Sequence, residues 1–546
     1  MNETRSIHKW AIGAVLTATL LPLPHAIHHA YAATPAQPAL SQTLNASAND
    51  LPVAALYQNL GDRLIWQDEA MVQALAAAIS RLDEDGLTPS DYRADRLVDD
   101  YRMGDQSGEQ ARARFDVEAT ETLLLALDHL SRGKVNPQTL GSQWSGERPA
   151  RRYSMVEVRN ALVRGDVEAA FAAARPQSSA YQKLRQALND YRALERNTSG
   201  PVAYLSASAE ALRVGDSSDA VQTLRQRLTL WGESGLVAAD DDAYPMVAVR
   251  SDVDDPHYFD TALENAVKRF QRRHQLTADG VVGERTRQVL NTPLSARIDQ
   301  LRINLERARW LDGFESEPAR VWVDVAGYKL HYQRPNGQQW DARVVVGSPQ
   351  RATPMIHSAI SHLTLNPTWT IPPTILREDV LPQVRRNPDY LASRNIQVLA
   401  PSGERLDPAS VDWQRPGGVM LRQVAGSGNP LGRLVVRFPN DDMIYLHDTP
   451  AKSAFGRSQR ALSSGCIRVE GIDELAQMLL RDSGSQQQVS SLIKRGSSDQ
   501  RVNLPQRIPV QLHYLTAWPN AQGEVEFRDD IYRHDAALLQ ALGRPV

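Results

Sequence analysis

Residues 320–347 read RVWVDVAGYKLHYQRPNGQQWDARVVVG, and this stretch decides the fold of the second half of the chain. Val321, Val323 and Val325 alternate with Trp322 and Asp324, which is the period of a half-buried strand. The turn residues at 335–337 separate two more runs of strand-forming residues. The pattern predicts a β-meander that begins near residue 320.

The strand pattern returns toward the C-terminus, at 434–438 and 444–447. Between them, helical and polar material at about 375–425 indicates an insertion over the sheet. Glycines at 417–418 and 426–428 could be the hinges of a lid. We therefore expect a mostly β domain over 320–500 and a C-terminal hairpin and helix over 505–546.

The first half of the chain is helical in pattern. Apolar residues recur at helical spacing over 51–200, which predicts a helical scaffold domain without a catalytic constellation. A second helical unit follows at 209–292, and a connecting helix is expected within 293–319. The fold class predicted for the whole chain is therefore multidomain α+β.

The N-terminus has the order of a secretory signal: basic residues, an apolar run and the small-residue site Ala30-Tyr31-Ala32. We expect a signal peptide at 1–32 and a linker at 33–50, with an uncleaved membrane anchor as the alternative. Either reading places the body of the chain outside the cytoplasm. The histidines at 25, 28 and 29 would be removed with the signal, and no other set of residues has zinc-site spacing.

Composition excludes several classes of protein. The chain has 546 residues, 42% of them hydrophobic, and a formal net charge of −3. A chain so balanced in charge lacks the basic footprint of a duplex nucleic-acid binder. No long apolar run follows the N-terminus, which excludes a polytopic membrane protein.

Two short segments carry the residues for chemistry, IYLHDTP at 444–450 and SSGCIRV at 463–469. Cys466 is the sole cysteine, and His447 precedes it by 19 residues at the end of a predicted strand. An imidazole that reaches a thiol can accept its proton and create a nucleophile. The amides around Gly465 could stabilise an oxyanion, and Arg468 could hold a substrate carboxylate. A buried, inert thiol is the competing interpretation.

The two segments resemble the catalytic motif of L,D-transpeptidases, the YkuD family, and the domain order resembles the large YcbB-type members of Gram-negative bacteria. The resemblance implies that Cys466 is the nucleophile and His447 the general base, later the acid. It implies that Ser463 orients His447 and that the amides of Gly465 and Cys466 form the oxyanion hole.

Four further residues are implied to bind substrate. The hydroxyl of Tyr445 would assist the oxyanion hole, and Arg468 would orient substrate or support the site. Ser464 stands where many family members have a second histidine, so the role of that histidine does not transfer. Trp369 would line the acyl-donor groove, with a core aromatic as the alternative. For Asp448, which follows His447 directly, we expect a structural role.

Residues 209–292 resemble a three-helix peptidoglycan-binding domain. The resemblance rests on Leu212 to Asp216, on Phe270-Gln271 and on the turn Asp279-Gly280-Val281-Val282-Gly283 before Thr286. The stretch 232–258 is longer than the usual link between the first two helices, and it could reshape the glycan groove. A spacer without binding function is the alternative.

The resemblance implies a periplasmic enzyme that forms 3→3 cross-links between peptidoglycan tetrapeptide stems through a cysteine thioester. It implies no metal or organic cofactor, no nucleic acid and an acylation of Cys466 by carbapenems. Other wall-synthesis enzymes are candidate partners. Two alternatives stay open: an L,D-carboxypeptidase or other hydrolase of wall-linked peptides, and a non-catalytic peptidoglycan-binding scaffold.

Overall fold

A computed structural model describes residues 38–46, 52–141, 148–198, 200, 202–208, 210–233, 255–311, 314, 317–387, 389–520 and 522–545. The expected signal peptide at 1–32 lies outside the described residues, as do half of the expected linker 33–50 and most of the stretch 232–258. The described half of that linker, Pro38–Ala46, is a helix whose Leu40 packs into the N-terminal core, so this part is not a tether. No described helix is long and apolar enough to span a bilayer.

The N-terminal region is helical, as the sequence predicts. Side-chain caps start several of its helices: Asp68 accepts from the Ala70 amide, and Ser154 and Glu157 form a capping box. The apolar faces of its first seven helices meet in one core around the long helix α5, and the last helix, α8, packs in a separate cluster with the helix that follows at 294–309. The helices are α1 (Pro38–Ala46), α2 (Val53–Asn59), α3 (Glu69–Ser80), α4 (Leu97–Gln106), α5 (Glu109–Arg132), α6 (Met155–Val163), α7 (Val167–Ala174) and α8 (Ser179–Asn197).

The second helical unit has the three predicted helices, α9 (Asp219–Leu230), α10 (Thr261–Arg273) and α11 (Glu284–Leu290). Their inward residues, among them Leu224, Val267 and Phe270, are fully buried. The connecting helix α12 (Leu294–Arg309) follows and packs against α8.

The C-terminal half is mostly β and is built on a nine-stranded sheet in the order β11-β3-β12-β10-β9-β4-β13-β1-β2. The meander predicted from the opening stretch is present as β1, β2 and β3, which pair antiparallel. The strands are β1 (Arg320–Asp324), β2 (Lys329–Gln333), β3 (Gln339–Gly347), β4 (Ile356–Leu365), β9 (Leu434–Arg437), β10 (Leu446–His447), β11 (Ala461–Ser463), β12 (Ile467–Val469) and β13 (Gln500–His513).

The insertion between β4 and β9 has its own small core and a four-stranded sheet, which the sequence analysis did not predict. A π-helical turn, Leu376–Val380, joins two of its short helices. The elements are β5 (Trp369–Thr370), α13 (Pro373–Ile375), α14 (Leu381–Arg386), α15 (Tyr390–Ser393), β6 (Ile396–Leu399), β7 (Arg405–Leu406) and β8 (Met420–Gln423).

The sheet extends past residue 500, where the sequence analysis ended the domain. β13 lies between β4 and β1, so it is an interior strand and not part of a terminal hairpin. A register shift between Asn503 and Ile508 accommodates Pro505, which cannot donate to a strand ladder. The expected hairpin is shorter and later, and the end of the chain is helical. The remaining elements are α16 (Ile472–Asp482), α17 (Val489–Lys494), β14 (Ala517–Pro519), β15 (Val525–Phe527) and α18 (Asp535–Leu542).

A buried polar network joins the N-terminal region to α12. Arg309 is fully buried; it donates to the Glu306 carboxylate at 2.7 Å and to the Tyr181 hydroxyl at 3.0 Å. That hydroxyl donates to Asp85 at 3.0 Å. Glu306 also accepts from the Val135 amide at 2.7 Å. Each buried charge thus has a partner, and removing one partner leaves the others uncompensated.

We expect Arg309→Met to lower the free energy of unfolding by about 3–5 kcal/mol, because the Glu306 carboxylate would stay buried without its cation. Urea unfolding of the full chain measures the change. The matched control is Arg96→Met, which removes an exposed pair with Asp100 and should cost under about 1 kcal/mol. Equal effects of the two substitutions would contradict the structural role of the network.

Candidate active site

Parallel pairing of β10 with β12 brings the two predicted catalytic residues together. Leu446 lies opposite Ile467, and His447 lies opposite Arg468. Leu446 and Ile467 are fully buried in the core of the large sheet. Since successive side chains alternate across a strand, His447 and Cys466 both lie on the other face, which we call the site face.

The thiol of Cys466 is partly exposed on the site face. It donates to the Met443 carbonyl, with 3.6 Å between sulfur and oxygen, and not to His447. Desolvation raises the pKa of the Cys466 thiol, while the Tyr445 backbone and the charges of Arg437 and Arg468 partly offset that rise. The resting sulfur is therefore protonated at neutral pH and still open to a substrate.

The His447 imidazole is buried and neutral. Burial, and after it the positive charge of Arg468, lower the pKa of His447 to about 4. Its Nδ1 is 2.6 Å from the Asp448 carbonyl oxygen. A carbonyl only accepts, so Nδ1 carries the proton and Nε2 keeps the lone pair that a general base needs.

The turn before the thiol is held by its own side chain. The Ser463 hydroxyl donates to the Cys466 carbonyl at 2.6 Å and accepts from the Gly465 amide at 3.2 Å. Gly465 has φ of +110°, a backbone conformation that favours glycine. The nucleophile therefore sits at the end of a constrained turn.

These contacts correct two roles that the resemblance implied. Ser463 stabilises the turn, and the group that orients His447 is the Asp448 carbonyl. The Gly465 amide already has an acceptor, so it is not free for an oxyanion. Among the described residues, the Cys466 amide has no hydrogen-bond acceptor, and it remains available for that task.

Residues distant in sequence support the turn from below. Thr353 is buried; its hydroxyl donates to the Gly465 carbonyl at 2.7 Å and accepts from the Gly347 amide at 2.9 Å. The Tyr532 hydroxyl donates to the Gly347 carbonyl at 2.8 Å and accepts from the Thr353 amide at 3.2 Å. The C-terminal segment thus contributes directly to the geometry of the site.

Arg351 connects the turn to the insertion. Its guanidinium donates to the Ser464 hydroxyl at 2.9 Å and to Asp379 and Glu378 at 2.6 and 2.9 Å. Asp379 and Glu378 belong to the π-helical turn of the insertion. Ser464 therefore anchors the insertion beside the thiol.

The other predicted site residues separate into two groups. Tyr445 and Arg468 lie near the thiol: the Arg437 guanidinium stacks on the Tyr445 ring at 4.1 Å, and burial lowers the pKa of Arg468. Trp369 belongs to the small sheet, where it pairs with Gln423 and packs on the core of the insertion. These contacts agree with the interpretation of Trp369 as a core aromatic. Asp448 accepts from the Arg433 amide and from Lys452, in keeping with a structural role.

Sequence reasoning missed Arg351, Thr353, Tyr532 and Arg437. None of the first three lies in a recognisable pattern, because the contact that ties each of them to the site spans more than 100 residues of sequence. Arg437 was detectable in principle, since it lies in the predicted strand 434–438, which pairs with the strand that bears His447.

Models of known families match three parts of the chain. The model described as "L,D-transpeptidase catalytic domain" matches residues 318–497, and "Putative peptidoglycan binding domain" matches 217–290. The model described as "Scaffold domain" matches 52–188. The peptidoglycan-binding match spans the three helices α9 to α11.

A relative from Haemophilus influenzae, named "Putative L,D-transpeptidase", is 35% identical over 242 residues, 44% of this chain. The chain spans about half the length of that relative, 48%. A solved L,D-transpeptidase (Yku) from Stackebrandtia nassauensis is 13% identical, with a TM-score of 0.20, over 57% of this chain and 97% of its own.

A fused Zn-dependent amidase/peptidase/peptidoglycan-binding protein from Clostridium acetobutylicum is 12% identical, with a TM-score of 0.16, over 56% of this chain and 99% of its own. Neither solved structure informs the arrangement of this chain at such scores. The family models and the relative from Haemophilus influenzae carry the assignment: this chain combines a YkuD-family L,D-transpeptidase catalytic domain with a peptidoglycan-binding domain.

Proposed function

We propose that this protein forms 3→3 cross-links between peptidoglycan stems through a thioester on Cys466. The observation that carries the proposal is the placement of a partly exposed thiol directly before β12 and of a neutral imidazole on β10, the strand that pairs with β12 in parallel. Such a pair can generate a nucleophile only when a substrate arrives, because both groups are uncharged at rest.

The first acyl transfer begins with attack of the Cys466 sulfur on the carbonyl between diaminopimelate and the terminal D-alanine. The thiol proton passes to Nε2 of His447, and the developing oxyanion accepts from the Cys466 amide. The carbon–nitrogen bond then breaks, and protonated His447 supplies the proton with which D-alanine leaves. A thioester remains on Cys466.

The second transfer uses the amine of the diaminopimelate on another stem. His447 accepts a proton from that amine as its nitrogen attacks the thioester carbonyl. The carbon–sulfur bond breaks, the proton returns to the sulfur, and an amide joins the two stems. The insertion, attached through Arg351, lies where it could exclude water and favour the amine over hydrolysis.

The domain composition supports a location at the cell wall. The peptidoglycan-binding domain would hold the enzyme near its substrate, and the chain would act in the periplasm after export by its N-terminal signal. Assignment to the large YcbB-type subgroup, and acylation by carbapenems, are part of the same proposal. They rest on the motif and on the order of the three domains.

Intact-protein mass spectrometry after incubation with tetrapeptide stems tests the chemistry. We expect an adduct on Cys466 that lacks the mass of D-alanine, and dimers linked through diaminopimelate in the product mixture. Cys466→Ser should abolish the adduct, and His447→Gln should slow its formation by about 10²–10⁴-fold, the usual contribution of a general base.

Arg495→Gln is a matched control, because this exposed residue lies away from the turn and should leave adduct formation unchanged. If the products are shortened monomers without dimers, the activity is that of a carboxypeptidase and not of a cross-linking enzyme. Absence of any adduct, with wall binding unaffected by Cys466→Ser, would favour the scaffold alternative.

The pH dependence of thiol reactivity tests the neutral resting pair. Because burial raises the pKa of Cys466, the thiolate fraction should grow with pH throughout the neutral range. We expect the rate of alkylation by iodoacetamide to increase about tenfold per pH unit between pH 6 and 8, and to stay below that of free cysteine at pH 7.

A thiolate–imidazolium pair would behave differently. It would give a rate that is nearly flat over the same range, because the sulfur would already be ionised. The reading of His447 as a neutral base would then be wrong. A chain unfolded in urea, in which the thiol is solvated, provides the reference rate.

A further inference from the structure

A cavity of about 380 Å³ adjoins the thiol on the site face. It shares a wall with the nucleophile, because the Met443 carbonyl that accepts from Cys466 belongs to a lining residue. Three arginines and a histidine supply most of the polar atoms around it. The residues that matter here are Arg437, Arg501, Arg507, His362, Met443 and Tyr445.

Strand pairing directs the first of these cations into the cavity. Arg437 lies opposite His362 in the register of β4 and β9, and Leu446 lies opposite Val436 in that of β9 and β10. The core side chains of these strands, Leu363 and Val436, are fully buried, so Arg437 and His362 lie on the site face. The Arg437 guanidinium rests on the Tyr445 ring at 4.1 Å.

The positive charge of this cavity has no counterpart among the described residues. None of the three arginines forms an ion pair there: Arg437 stacks on Tyr445, and Arg501 donates to the Asn503 amide oxygen at 2.8 Å. Asp441 and Asp442 lie in the adjoining loop, but both are exposed and pair with none of the arginines. Unpaired guanidinium groups around a cavity provide bidentate donors for a carboxylate.

The position of the cavity relative to the sulfur limits which carboxylate it can take. In a stem that ends in D-alanine, the carboxylate is separated from the attacked carbonyl by the amide nitrogen and one α-carbon. Standard bond lengths put the two carbon atoms within about 4 Å of each other. The oxygen of the Met443 carbonyl lies 3.6 Å from the Cys466 sulfur. A carboxylate bound against Met443 is therefore close enough to the sulfur to be this carboxylate of the substrate.

We propose that this arginine-lined cavity binds the α-carboxylate of the residue on the amine side of the reacting bond. The proposal rests on the proposed function. During acylation that residue is the departing D-alanine. During the second transfer it is the entering diaminopimelate, whose attacking amine also has a carboxylate on the same carbon. One cavity therefore recognises the leaving group and the acceptor in turn.

The test measures kcat/KM for formation of the Cys466 adduct with three donor stems. One has a free C-terminal carboxylate, one has a C-terminal amide, and one has an amide on the side-chain carboxyl of diaminopimelate. We expect the full chain to prefer the free carboxylate over the C-terminal amide by at least about tenfold, as befits a hydrogen bond to a charged group. The third donor should react like the first.

Arg501→Gln and Arg507→Gln should each slow the free-carboxylate donor about tenfold and leave the C-terminal amide donor within about twofold. Arg433→Gln, an exposed arginine outside the cavity, is the matched control and should change neither rate. Alkylation by iodoacetamide is measured in parallel, because the loss of a positive charge near the site can change the reactivity of the thiol. If a variant slows adduct formation with both donors in proportion to its slower alkylation, the loss reflects thiol reactivity, and the proposal is overturned.

An unchanged ratio between the two C-terminal forms in both arginine variants would overturn the proposal while leaving cross-linking intact. If only the donor amidated on the side-chain carboxyl of diaminopimelate reacts slowly, the cavity binds that carboxylate, and the assignment to the departing residue is wrong. No adduct with any donor in the unmodified chain would instead remove the proposed function on which the inference rests.

Discussion

The parallel pairing of β10 with β12 is the constraint on which the site depends. It aligns two segments that are 19 residues apart in sequence, and it seals Leu446 and Ile467 into the core. Because those two side chains are buried in the core, the alternation of side chains along the chain directs His447 and Cys466 to the opposite, site face of the sheet. The hydrophobic core thus determines where the nucleophile and the base lie.

The electrostatics of the site favour an uncharged resting pair within a positive field. Burial, reinforced by Arg468 and Arg437, makes an imidazolium unfavourable, and the two arginines help a thiolate without overcoming the desolvation of the sulfur. A negatively charged substrate group would enter the same field at low cost. The positive charge of the site would therefore favour the binding of an anionic substrate group more than it favours ionisation of the sulfur.

The sequence predicted those parts of the fold that have a local signal. The alternation at 321–325 and the helical spacing at 219–290 correspond to elements in the structure. β4 was missed altogether. β13 was misplaced because prolines and charged residues interrupt its apolar pattern, although its place between β4 and β1 buries Val510 and Leu512.

The candidate site divides in the same way. Cys466, His447 and Gly465 belong to two short motifs, and the structure places His447 on β10 and the other two residues in the turn that leads into the neighbouring strand β12. The groups that orient them are backbone carbonyls or side chains from remote segments, such as Asp448, Thr353 and Tyr532. Every residue has a backbone carbonyl, so the sequence does not reveal which carbonyl orients a side chain. A contact across 185 residues, such as that between Tyr532 and Gly347, produces no recognisable motif spacing.

The location of Tyr532 has a consequence for how the catalytic domain is delimited. The loop beneath the nucleophile is completed by a residue that lies outside the range 318–497 matched by the catalytic-domain model, and the interior strand β13 lies outside that range too. A fragment cut to the matched range would keep the motif but lose the hydroxyl that holds the Gly347 carbonyl and the Thr353 amide. The boundary of the sequence family is therefore narrower than the boundary of the folded unit that organises the sulfur.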